Sequence, residues 1–152
     1  MRPERAQLRF QLADAPVALR DRRGIDADVA NMRAAMAAAG LPDDGGFLSA
    51  ASPGVIAVFF DNQYYPSHEA YLAAAADAMR VEYEAIVKAG FVLQLDCPDL
   101  AMGRHIEFAG LDLAAFRKVA RLHVEALNHA TAGIPPDRMR IHLCWGNYEG
   151  PH

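Results

Sequence analysis

Short apolar runs alternate with long amphipathic ones along most of this chain, and that alternation constrains the fold more than any other feature. From Asp26, "DADVANMRAAMAAAG" spaces Val29, Met32, Ala35 and Met36 by three and four and closes on Gly40. This is the pattern of a helix with an acidic start and a glycine stop. "GFLSAASPG" then gives a strand near 47–51, followed by a loop carrying the Ser52-Pro53-Gly54 turn. Ser67 is placed to cap a second helix, whose apolar positions Tyr71, Leu72, Ala75, Met79 and Tyr83 run on to Gly90. "FVLQLD" is a strand stopped by Pro98, and "PDLAMGRHIEFAG" is a loop. A third helix runs from about Asp112 to Ala132, with Phe116, Val119, Ala120, Val124 and Leu127 inward. "MRIHLCWG" is the third strand. The segment before Asp26 is the least patterned, with "APVALR" a candidate short strand.

Strands that start near 47, 91 and 139 give strand–helix units of about 45 residues, which implies parallel strands joined by right-handed crossovers. Side-chain alternation then separates the faces. Arg140, His142 and Cys144 share one face of their strand, opposite Ile141, Leu143 and Trp145. Val92, Gln94 and Asp96 likewise oppose Leu93, Leu95 and Cys97. Each strand has one wholly apolar face and one that turns polar toward its C-terminal end. An open sheet covered by helices on both sides is apolar on both faces, whereas a barrel with chemistry at its mouth shows this asymmetry. The expected fold class is α/β: a partial (β/α)8 TIM barrel of about three parallel strands with their helices. Residues 1–25 form an ill-defined N-terminal segment and 26–152 the partial barrel domain.

With 152 residues, 53% of them hydrophobic and 22% charged, the chain is one globular domain's worth. Lys and Arg are spread along a chain of net charge -4, which argues against nucleic-acid or anionic-membrane partners. There is no basic-then-apolar signal pattern at Met1, and no apolar run approaches the roughly 18 residues of a membrane span. The alanines at 73–76 are interrupted by Asp77 and Arg80. Two cysteines are too few for a disulfide framework, so a reduced, cytoplasmic setting is expected.

His142 and Cys144 are the strongest chemical pair. Zinc takes imidazole and thiolate ligands, and side chains at i and i+2 of a strand can reach one ion. A buried histidine beside a small apolar thiol reads the same way in sequence. Asp96, at the end of the preceding strand, could hold a substrate ammonium group or orient a ligand, or could cap the following loop through a backbone N–H. Cys97 points the other way, toward packing. Arg104 and His105 lie on a loop that faces substrate in barrels, and equally on a solvated one. His123 and His129 read as exposed histidines on the third helix. Asn62, Tyr64 and Tyr65 form a polar-aromatic loop that either lines a cleft or packs on its neighbours.

Taken together, "SPGVIAVFFDNQYYPSHEAYLAAAADAMRVEYEAIVKAGFVLQLDCPDLAM" and "RIHLCWGN" resemble the C-terminal catalytic barrel of cobalamin-independent methionine synthase. The likeness is closest to the single-barrel branch, which includes zinc-dependent alkyltransferases acting on coenzyme M, and covers about residues 24–152. Its specific parts are "LQLDCPDLAM" and the His-x-Cys strand. The resemblance implies a (β/α)8 barrel in which zinc activates a thiol for alkylation, with these strands its third, fourth and fifth. By the same likeness, His142 and Cys144 fall on the first two zinc ligands and Asp96 on the aspartate that contacts the homocysteine amino group. The implied partners are a small-molecule thiol and a methyl or alkyl donor, either a folate-borne methyl group or, in the coenzyme M branch, an opened epoxide.

The departures from the family are specific. Its remaining ligands, a cysteine and in some branches a glutamate, lie on later strands, and Glu149 and His152 do not match them. Its first two strands have no clear counterpart. The chain therefore reads as the middle of a longer barrel, inactive by itself and prone to form a homo-oligomer through its uncovered faces. Two other readings remain: a metal-free porphyrinogen decarboxylase using Asp96 and Arg104, and a non-catalytic half-barrel that assembles with itself.

Overall fold

The computed structural model describes residues 11–42 and 45–144. Glu149 and His152, like the start of the N-terminal segment, lie outside the described residues. The elements run β1 (Gln11–Ala13), α1 (Arg23–Ala38), β2 (Phe47–Ala51), α2 (Pro53–Phe59), β3 (Phe60–Asn62), α3 (His68–Lys88), β4 (Val92–Asp96), α4 (Leu113–Thr131) and β5 (Met139–His142). Two 3-10 turns, Pro98–Leu100 and Met102–His105, occupy the loop after β4.

The chain is a mixed α/β structure around a parallel three-stranded sheet in the order β2-β4-β5, so consecutive strand–helix units lie side by side. Phe47 pairs with Val92, Gln94 with Arg140, and Asp96 with His142. The three strands and the three long helices anticipated from periodicity are all present. Ser67 caps α3 by accepting from the Ala70 N–H, and Asp112 caps α4 by accepting from the Ala115 N–H. Gly40 and Gly90 follow α1 and α3 with φ of 66° and 94°, the left-handed region that spares them a Cβ clash.

Two expectations need correction. "APVALR" forms no strand; the N-terminal strand is β1, which precedes it and pairs in parallel with β3 as a separate two-stranded sheet. The segment after β2 is not all loop, because Ser52 accepts from the Val55 N–H and Pro53 occupies the first turn of α2. Proline suits that position, since its missing N–H has no helical partner there in any case.

The sheet has two unlike faces. Leu93 and Leu95 are buried against a core that includes Tyr83, Ile86, Leu127 and Met36 from three helices. Burying one such leucine contributes about 1.5–3 kcal/mol, so this face holds the domain together. The opposite face is open and graded. Phe47 is 43% exposed, with the Arg140 guanidinium 3.7 Å from its ring centre. One row nearer the strand ends, Arg140 Nε donates to Gln94 Oε1 and Gln94 Nε2 donates to Ser49 Oγ, a polar ladder across all three strands. Beyond it lies the row of Ala51, Asp96 and His142.

Candidate functional site

Asp96 and His142 end adjacent parallel strands in direct register, so their side chains emerge together at the C-terminal edge of the open face. The backbone fixes both. The Ser52 N–H donates to the Asp96 carbonyl, and the Cys97 N–H donates to the His142 carbonyl. His142 Nε2 stands 3.8 Å from Asp96 Oδ1, too far for a direct hydrogen bond. Both side chains are about half exposed, yet Asp96 Oδ1 itself is shielded and has no hydrogen-bond partner among the described residues. The loop-capping role open to Asp96 is therefore not one that this oxygen fills. A half-exposed carboxylate and a half-exposed imidazole that do not bond each other are suited to a third group that donates or carries positive charge.

Cys144 is half-buried and lies two residues beyond the end of β5, so regular strand alternation stops at His142. Among the described residues, no group of three or more His, Cys, Asp or Glu is spaced to hold a metal ion. The donor chemistry of His142 and Cys144 nevertheless fits zinc, which prefers nitrogen and sulfur ligands.

The other candidates divide clearly. Arg104 and His105 are exposed on the loop after β4. Asn62 Oδ1 accepts from the Tyr64 and Tyr65 N–H groups, while Tyr65 stacks on Tyr71 at 5.6 Å and accepts from the Val17 N–H. That loop is locked on itself and its neighbours. Cys97 is fully buried, and burial, reinforced by the Asp99 charge, pushes its thiol up to about 12.

The helix α4 departs from expectation in one decisive place. His129 is exposed beside Asp77 and Arg80, as anticipated, but His123 is only 2% exposed and Val124 turns outward instead. His123 joins a chain of four residues, of which Ser52, Asp99 and His123 are buried and His68 is half-buried. Ser52 Oγ donates to Asp99 Oδ1 at 2.6 Å, Asp99 Oδ2 lies 2.8 Å from His123 Nδ1, and His123 Nε2 lies 2.9 Å from His68 Nε2. Phe108 packs edge-on against both imidazoles. An ionised carboxylate only accepts, so a neutral His123 carries its proton on Nδ1 and accepts at Nε2. His68 must then donate through Nε2–H, which leaves His68 Nδ1 as the open end of the chain. Gly54 permits this contact: a Cβ there would collide with Asp99 Oδ2 and His123 Nδ1. The order Ser–Asp–His–His sets the hydroxyl at the wrong end for a nucleophile, since Ser52 already donates to the carboxylate instead of to an imidazole.

Neither protein-family models, nor curated proteins, nor solved structures give a match to this chain.

Proposed function

We propose that the three-stranded sheet is a segment of a (β/α)8 barrel, and that its open edge serves zinc-dependent methyl or alkyl transfer to a thiol. The acceptor is a homocysteine-like amino thiol and the donor resembles methyltetrahydrofolate. The observation that carries this reading is the in-register pair Asp96–His142 at the C-terminal ends of adjacent parallel strands. Barrel enzymes keep their chemistry at that end, and the helices here cover only the other face.

In this reading His142 and Cys144 supply two zinc ligands. Zinc bound there would lower the pKa of a substrate thiol, so that a nucleophilic thiolate exists at neutral pH. Asp96 orients the acceptor: its half-exposed carboxylate receives the substrate ammonium group. The ladder of Arg140, Gln94 and Ser49 closes the floor of the site with groups already satisfied by one another. The thiolate would attack the methyl carbon in line, the S–C bond forming as the donor's N–C bond breaks and the donor nitrogen keeps the electron pair and takes a proton from water.

Asp96 also separates this reading from alkylation of coenzyme M, a thiol with a sulfonate and no amine. Calorimetric titration of the zinc-loaded chain with homocysteine should show weaker binding in Asp96→Asn, about tenfold or more for the loss of one charge-assisted hydrogen bond. Equal homocysteine affinity in wild type and variant, or tighter binding of coenzyme M than of homocysteine, would exclude the amino-thiol assignment.

A further inference from the structure

The Asp99–His123–His68 chain ties three segments together at the sheet end that carries Asp96: the turn after β4, the middle of α4 and the first turn of α3. Its weak point is the bond between two like groups. Two imidazoles that face each other Nε2 to Nε2 at 2.9 Å can hold only one proton between them.

We infer that this chain is a proton-operated latch, closed while the two imidazoles share one proton and opened when each carries its own. The inference does not depend on which reaction the site performs. In the closed state Asp99 holds His123 as the Nδ1–H tautomer, and the pair can take one further proton, at His68 Nδ1. Once that site is filled, a second proton would put N–H against N–H, so the bond between the imidazoles must break. In the open state each ring is free to carry a proton on both nitrogens. Opening is therefore coupled to uptake of at least one proton.

The surroundings favour that behaviour. Burial is the main cause that holds His68 below the ordinary histidine value, followed by His123, with Glu69 opposing. A depressed histidine pKa means that the open form binds protons more strongly. The closed form is then fully stable above about pH 6.5 and is lost as the pH falls. Of the other groups near Asp99, Cys97 and Tyr83 are pushed up by burial and stay neutral. Helix α2 contributes Ser52 and Gly54 and bears no charge. Arg117, Lys118, Arg121 and Glu125 of α4, and Arg104, His105 and Glu107 of the loop, all face solvent. A permanently closed brace would lack this coupling. Opening frees the first turn of α3, while Asp99 keeps its contacts with Ser52 and His123, so acidification should loosen that helix end without unfolding the sheet.

Hydrogen exchange of backbone amides in residues 70–74, at the start of α3, corrected for intrinsic rates between pH 7.5 and 5.0, tests the latch. The open fraction should rise about tenfold per pH unit below the histidine range. His68→Gln is the decisive variant. Its side-chain amide reaches a similar position and can donate to or accept from His123, so the bond persists without titration and the slope should vanish. A flat wild-type profile, or a His68→Gln profile as steep as wild type, would overturn the inference. So would imidazole 15N spectra at pH 7.5 showing His123 protonated on Nε2 instead of Nδ1, an outcome that needs no variant to fold.

Discussion

Replacing Gly54 with alanine probes the buried chain through a single added methyl. The new Cβ would overlap Asp99 Oδ2 and His123 Nδ1 and stand 2.7 Å from Asp99 Cγ, on a face where every neighbour is itself packed. Relief requires the carboxylate and the imidazole to separate. Overpacking a close-packed interior costs about 1–3 kcal/mol. Losing a buried hydrogen bond to a charged group adds about 1.5–3 kcal/mol. Alanine's better helix propensity returns about 1 kcal/mol. The net loss is about 3 kcal/mol, a large part of the 5–15 kcal/mol typical of a domain. In urea this should move the unfolding midpoint down by about 1–2 M. Gly133→Ala is the control, since nothing lies within 4 Å of its Cβ position, and it should stay within about 0.5 kcal/mol of wild type. If Gly54→Ala unfolds within that same margin, the close contact that gives the latch its geometry is not present.

Cysteine reactivity is asymmetric in this account. At pH 8 a thiol reagent should modify Cys144 in the native protein and leave Cys97, whose thiol is pushed up to about 12, untouched until urea is added. Two equally fast native thiols would contradict the buried placement of Cys97. The open sheet face, where Phe47 is 43% exposed, should pair with a second copy. Light scattering at micromolar concentration should then give twice the 16.6 kDa chain mass, and Phe47→Lys should halve it. A stable wild-type monomer would mean that the face needs no cover.

The strands and long helices were legible because each carries a period that burial enforces. Leu93 and Leu95 alternate with Val92, Gln94 and Asp96, and Tyr71, Leu72, Ala75 and Tyr83 follow a helical stripe. Helix α2 was hidden because seven residues are too few for a period, although Ser52 before Pro53 already formed a cap and first-turn signature. The polarity of His123 points to an exposed position, yet it falls on the stripe of Phe116, Ala120 and Leu127. Giving position precedence over polarity would have found it. Asp99 offered no such signal. It sits in a non-periodic turn, and its partners Ser52 and His123 lie 47 and 24 residues away in sequence. The pairing of Asp96 with His142 was foreseeable, because consecutive parallel strands normally lie side by side and so bring their C-terminal ends together.

Cobalt substitution tests the proposed metal chemistry most directly, since Co2+ accepts the same nitrogen and sulfur ligands as zinc and reports them by colour. Loaded into the metal-stripped chain, it should give a near-ultraviolet thiolate-to-cobalt charge-transfer band that disappears in Cys144→Ser. His142→Ala should weaken binding and alter the visible ligand-field bands, while Asp96→Asn should leave the spectrum unchanged. A wild-type spectrum without the charge-transfer band, or one identical in Cys144→Ser and His142→Ala, would contradict the assignment of these two residues as zinc ligands.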